Sequence, residues 1–390
     1  MATITIKRLS ATTAASIFLS LLITGKAEAF TFTKIADDSG PFSFVDVFNG
    51  PEPVINNGGT VAFLTNLDTG GEGIFTGTGG ATTTIAIADD SGPSGTFGTF
   101  QSPPALNDEG TVAFTAFLST GVPRSFFGGG LFTSNGGATT FITDSNLQLA
   151  PFLGNPTINN EGTIAITASP PGEGDRLFTV RGGATTLIAD SSGPFSSFGS
   201  TGINDAGTVA FLASLDEGGN GLFTTSGGAI TTIADTSSPF DFLLGGPAIN
   251  NAGTIAFSAF RDFQDFLEGG GGGGIFTSSG GVTTMIADNT GPFRTFGSGL
   301  PAINDAGTVA FLASLDEGGT GIFTGPNPVT DKVIATGDSL FGSTVTSLGF
   351  NRFSSKGLNN AGQLTFFAQL ADGISGIFRA DPESTPRACP

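Results

Sequence analysis

The chain has 390 residues, among them 62 Gly and 39 Phe, with no His, Trp or Tyr, a single Cys and a formal net charge of −19. Without His or a second Cys it cannot form a Ser-His-Asp triad, a Cys-His dyad, a His-ligated metal site or an internal disulfide framework. So acidic a chain is also a poor partner for nucleic acid or an anionic membrane surface.

Lys7 and Arg8 precede an apolar run from Ala14 to Ile23, and Ala27-Glu28-Ala29 follows. This is the layout of a secretory signal peptide cleaved after Ala29. The run falls short of the ~20 residues that a membrane span requires. Residues 1–29 are therefore expected to be a signal peptide, and the protein to be secreted, extracellular or in the cell envelope, without stable membrane insertion.

Residues 31–37 alternate in the manner of a half-buried strand, and similar T-x-I-A-D segments end at Asp190, Asp235 and Asp288, with looser versions ending at Asp89, Asp144 and Asp338. A loop rich in Ser, Gly, Pro and Phe follows each, leading to a short strand such as Pro247-Ala248-Ile249-Asn250. Next comes N-[ND]-x-G, whose residue types suit a tight hairpin turn, and then a T-V-A-F strand. The turn begins at Asn56, Asn107, Asn159, Asn204, Asn250, Asn304 and Asn359. A second loop, Leu215-Asp216-Glu217-Gly218-Gly219 in one copy and Leu315-Asp316-Glu317-Gly318-Gly319 in another, leads to a G-[IL]-F-T strand, and a Gly-Gly turn closes the unit. Phe117 to Gly129 and Arg261 to Gly274 read as loop insertions.

Four short antiparallel strands repeated seven times at a period near fifty residues predict an all-β fold, a single seven-bladed β-propeller over residues 30–380. Counted from P-x-I-N, the last unit has only three strands before Asp381. The N-terminal strand, about 31–37, is expected to supply the fourth and close the ring, removing exposed edges. Residues 381–390 are expected to be a disordered tail. The small residues before each Ile/Leu-Asn pair suit innermost strands converging on an axis.

In a four-stranded meander the L-D-x-G-G and A-D-[DS]-S-G loops share one end. That face would gather Asp37, Asp38, Asp89, Asp90, Asp190, Asp235 and Asp288 as a ligand surface, with Asp68, Asp216, Glu217, Asp316 and Glu317 as candidate Ca²⁺ ligands. Against this, Asp and Gly are good turn formers, and no stretch has the dense ligand pattern of a calcium loop. The opposite face has mainly Asp108, Asp205 and Asp305. Phe42, Phe195, Phe240 and Phe293 are either a sticky rim or, in the commoner arrangement, plugs between blades.

The I-N-[ND]-x-G-T-[VI]-A-F, G-[IL]-F-T and I-A-D set resembles uncharacterised secreted tandem-repeat β-propeller proteins of bacteria, common in cyanobacteria. Many of these end in a P-E-P sorting signal. The end here, Asp381-Pro382-Glu383-Ser384, looks like a remnant of one without the apolar helix. The resemblance implies architecture and not activity. The expected function is a monomeric, non-enzymatic interaction module or scaffold for protein or polysaccharide, with no cofactor except possible Ca²⁺. The alternatives are a carbohydrate-active hydrolase or lyase using carboxylates near the channel, and a calcium-stabilised scaffold.

Overall fold

The computed structural model describes residues 29–383 except 45–50, 90–92, 94–95, 123–124, 143–153, 170–171, 173, 237–238, 262–272, 297–298, 353 and 355. Residues 1–28 of the expected signal peptide, Asp90, Asp144, most of the expected insertion from Arg261 to Gly274, and residues 384–390 lie outside the described residues.

Every described regular element is a β-strand. The repeat is seen most clearly in the sheet Phe195–Ile203, Val209–Leu215, Asn220–Ser226 and Ala229–Asp235, whose strands neighbour one another in chain order and pair antiparallel. The same order recurs in Phe242–Ile249, Ile255–Phe260, Gly273–Ser279 and Val282–Asp288. These sheets form a β-propeller fold.

The repeat motifs explain the strand pairing. Phe211 of T-V-A-F lies opposite Phe223 of G-L-F-T, and their rings stack with centroids 5.5 Å apart. The pair is repeated by Phe257 with Phe276 and by Phe366 with Phe378. Such cross-strand aromatic pairs fix the register as well as burying surface. The glycine two residues before the second Phe is there for space. A Cβ on Gly221 would lie 2.6 Å from the Phe223 ring, and one on Gly73 2.6 Å from the Phe75 ring. A β-bulge falls at the same place in the outer strand pair of five repeats, beside Phe75, Phe178, Phe223, Phe276 and Phe323.

The loops after Asp37, Asp190 and Asp288 are shorter than the sequence suggests. Phe195 opens a nine-residue strand, and Phe42 and Phe293 open strands of their own. The reason is burial: Phe42, Phe195, Phe240 and Phe293 each meet the G-[IL]-F ring edge-on, at 4.9 to 5.0 Å between centroids. They are core residues and not a sticky rim. Phe117 to Gly129 also departs from expectation. It belongs to a long hairpin, Val112–Val122 with Ser125–Ser134, and not to a loop insertion.

Seven hydrophobic clusters are found among the described residues, and each joins neighbouring repeats. One combines Ala165 and Leu177 of the third with Phe195 and Phe211 of the fourth. Another combines Phe63 and Phe75 of the first repeat with Phe367 and Ile377 of the last. Beside that cluster, Phe30–Asp37 pairs antiparallel with Ser375–Pro382, Thr31 opposite Asp381 and Lys34 opposite Phe378. The final strand thus reaches Pro382, two residues into the segment expected to be a tail. Asp381 is held there by Gln363, Arg379 and Thr33.

Candidate functional site

The N-[ND]-x-G turn builds the axis. In the fourth repeat Asn204 N–H donates to Thr208 O and Gly207 N–H to Asn204 O, with Gly207 at φ +78°. The Asn204 side chain then works in two directions. Its Oδ1 accepts from Thr208 N within the turn, and its Nδ2 donates to the backbone oxygen of Asn250 in the next repeat. All seven first-position asparagines do the same, each amide reaching the next repeat's Asn carbonyl at 2.9–3.2 Å. The last, Asn359, donates to Asn56 O, so the circuit returns to its start. Only a side chain with an acceptor and a donor at this reach can do both.

The second turn position makes a second circuit. Its residues are Asn57, Asp108, Asn160, Asp205, Asn251, Asp305 and Asn360, and each backbone N–H donates to the side-chain Oδ1 of the next, at 2.7–2.9 Å. The alternation of Asn and Asp matches donors to acceptors. Asn160 Nδ2 donates to Asp108 and Asp205, and Asn251 Nδ2 to Asp205 and Asp305. With seven members, alternation must fail once, and it fails where Asn360 meets Asn57.

Each carboxylate therefore accepts three hydrogen bonds. For Asp305, burial works to raise its pKa, but the bonds from Asn251 and Asn360 and the charge of Lys356 hold it below the ordinary value. The two circuits and Lys356 line a cavity of about 70 Å³. Lys356 is half-buried by exposure but ringed by protein. That burial pushes its ammonium below the usual lysine range, while Asp205, Asp108 and Asp305 pull it back up.

The residues expected to form a ligand surface are placed differently. The L-D loops rest on the S-G-P loops of their own repeats: Asp68, Asp216 and Asp316 N–H donate to the carbonyls of Pro41, Pro194 and Pro292. The carboxylates of the I-A-D ends are used in tight turns. Asp190 Oδ1 accepts from Ser192 N–H and Oγ, Asp288 from Thr290 in the same way, and Asp37 from Ser39. Asp38 bonds Ser375 across the first and last repeats, and Asp89 N–H donates to Phe97 O. Asp235 ends its strand opposite Gly221. Hydrogen bonds from Ser192 hold Asp190 below the ordinary carboxylate value. At Asp37 burial works to raise the pKa, but Lys34 and Ser39 outweigh it.

Among the described residues no three of His, Cys, Asp and Glu come together as a metal site. The candidates Asp68, Asp216, Glu217, Asp316 and Glu317 are spread over separate repeats and are not brought together. The acidic residues that line one cavity are Asp108, Asp205 and Asp305, which the sequence reading left on the less acidic face. Two signals in the sequence could have found them. One is the N, D, N, D, N, D, N succession at the second turn position, and the other is Lys356, three residues before Asn359, where five other repeats have Pro.

The model of a family described as of unknown function (DUF7453) matches residues 24–386. No curated protein matches the chain. Among solved structures, an oligogalacturonate lyase from Vibrio parahaemolyticus is similar at 11% identity over 92% of this chain and 98% of that one, with a TM-score of 0.52. The β-propeller domain of the Trilobed protease from Pyrococcus furiosus is similar at 13% identity over 70% and 78%, with a TM-score of 0.47. TolB from Acinetobacter baumannii is similar at 12% identity and a TM-score of 0.40 over 60% of this chain, which spans 53% of that protein. At such identities the likeness is one of fold alone.

Proposed function

The chain belongs to the DUF7453 family of unknown function, and we propose that it is a secreted, monomeric, seven-bladed β-propeller that acts without catalysis as an interaction module. In this reading Phe30–Asp37 closes the ring, and the loop face opposite the Asn/Asp turns meets a protein or polysaccharide partner. The count of seven and the closure are supported by the two hydrogen-bond circuits, each of which passes through seven repeats and returns to the first.

The observation that carries the non-enzymatic reading is the state of the axial carboxylates. Glycoside cleavage needs two carboxyl groups open to the sugar on either side of the bond that breaks, one to give a proton and one to act as base or nucleophile. Asp108, Asp205 and Asp305 share one environment, each bonded by two carboxamides and one backbone N–H. The cavity of about 70 Å³ beside them is also far below the roughly 300–1,000 Å³ typical of small-molecule sites.

The test pairs glycan-array binding, with and without Ca²⁺, with a screen for cleavage of the same polysaccharides. Binding without product is expected, weakened when Asp216→Asn and Glu217→Gln are combined with Asp316→Asn and Glu317→Gln. A polysaccharide cleaved by the native protein and left intact by Asp205→Asn would show that the axis is an active site after all.

A further inference from the structure

Lys356 stands where the other repeats carry Pro53, Pro104, Pro156, Pro247, Pro301 and Thr201. It is thus the one charged residue at that position, and it lines the same cavity as the second turn circuit. The Lys356 carbonyl accepts from Ile55 N–H of the first repeat, a backbone bond that uses no part of the side chain, so the ammonium is not needed for it. The circuit does have a need, because three carboxylates face one axis.

The carboxylates of Asp108, Asp205 and Asp305 come from alternate repeats and are held apart by the asparagines between them. Their oxygens are turned into the circuit, where they accept amide and backbone hydrogens. Among the described residues they make no group that ligates a metal directly, so a free ion drawn to this ring would keep its water. What they create on the axis is a negative potential to which all three contribute. No direct hydrogen bond or ion pair of the Lys356 ammonium is found among the described residues, and its attraction to the three aspartates acts through space.

We propose that the axial ring of Asp108, Asp205 and Asp305 is a cation site whose resident cation is the Lys356 ammonium, tethered where a hydrated divalent ion such as Ca²⁺ would otherwise be drawn. The chemistry explains the choice of residue. A lysine stem is flexible and its head is a compact point charge, suited to a diffuse field from several directions, whereas Arg is matched to a bidentate contact that this ring does not offer. Burial acts against the charged form and the three aspartates act for it. The charge is thus kept at the axis by the ring.

The principal experiment uses the mature protein and Lys356→Met, which has similar length and no charge. Ca²⁺ binding is measured by calorimetry, and the melting midpoint is followed by circular dichroism as Ca²⁺ is raised to the millimolar range. The native protein is expected to show no calcium-dependent rise in midpoint, and Lys356→Met to show a rise that is lost in Lys356→Met combined with Asp205→Asn. No rise in Lys356→Met would overturn the proposal. So would a rise in the native protein that Asp205→Asn removes, because the ring would then be open to free ions with Lys356 in place. If Lys356→Met does not fold, the native protein and Asp205→Asn decide the matter. Only Lys34, Lys332 and Lys356 lie beyond residue 29, so the side-chain nitrogens of a ¹⁵N-lysine-labelled sample can be followed singly. Asp205→Asn is expected to move the titration of the Lys356 ammonium to lower pH, because one of the charges that favour its protonated form is gone. An unchanged titration would refute the attraction on which the proposal rests.

Discussion

Substitution of Asn204 tests the double role of the first turn asparagine. The side chain is 5% exposed, accepts from Thr208 N at 2.9 Å and donates to Asn250 O at 3.2 Å. Asn204→Ala removes both bonds. The Asn250 carbonyl keeps the bond from Gly253 N–H, so its loss is that of one hydrogen bond, about 1 kcal/mol, while the half-buried Thr208 N–H loses its acceptor at about 1–3 kcal/mol. The expected cost is about 2–4 kcal/mol. Asn204→Asp keeps the bond from Thr208 but replaces the donor with an anionic oxygen facing a carbonyl, in a site where an unpaired charge is costly. It is therefore expected to be at least as destabilising as Asn204→Ala, although it is the closer isostere. The chain has no Trp or Tyr, so unfolding is followed by far-ultraviolet circular dichroism in urea, with Ala206→Ser as an exposed control. If Asn204→Asp proves as stable as the native protein, the bond between repeats does not contribute what the geometry implies.

Gly221→Ala, which puts a Cβ 2.6 Å from the Phe223 ring, is expected to cost about 1–3 kcal/mol by overpacking, measurable by the same urea titration. Phe195→Ala removes the ring that meets Phe223 edge-on at 5.0 Å and should cost about 3–5 kcal/mol; a loss below about 1 kcal/mol would place this ring outside the core. Removal of residues 30–37 should lower the melting midpoint sharply in calorimetry, since it takes away one of the two strands that pair with Ser375–Pro382 and the buried Ile35. The lowered values at Asp37, Asp190 and Asp305 fix the sign of an acid effect. Their contribution is present in full above the unfolded carboxylate value near about 3.9 and is lost as pH falls through the folded values, so calorimetric midpoints should drop below about pH 4, and Asp305→Asn should flatten that drop.

Much of the fold was legible because each repeat states its strands twice, once by alternation and once by the Gly and Asn that end them. The T-V-A-F and G-[IL]-F-T strands stand where the sequence puts them. The misread parts depend on contacts that periodicity does not encode. Phe195 follows Ser, Gly and Pro, the composition of a loop, and becomes a strand residue only because Phe211 and Phe223 offer it a surface. Asn204 looks sufficient as a turn residue, and nothing local distinguishes that role from the bond it makes to Asn250. The acidic residues misled by number. The loops hold more of them, but Asp190 and Asp288 are engaged with their own serine and threonine, while Asp108, Asp205 and Asp305 are few and line one cavity that exists only after folding.

The break in alternation between Asn360 and Asn57 has a consequence for how such a chain can change length. A circuit of Asn and Asp is a two-colour ring, and parity decides whether it can be coloured without conflict. Losing or duplicating one Asn repeat with its Asp neighbour leaves a single like pair, as now. Inserting one repeat that carries Asp at its second turn position, between Asn360 and Asn57, would give an even ring with no like pair and a fourth carboxylate on the axis. Growth by one repeat and growth by two are thus chemically different events for this protein, even though every repeat has the same fold.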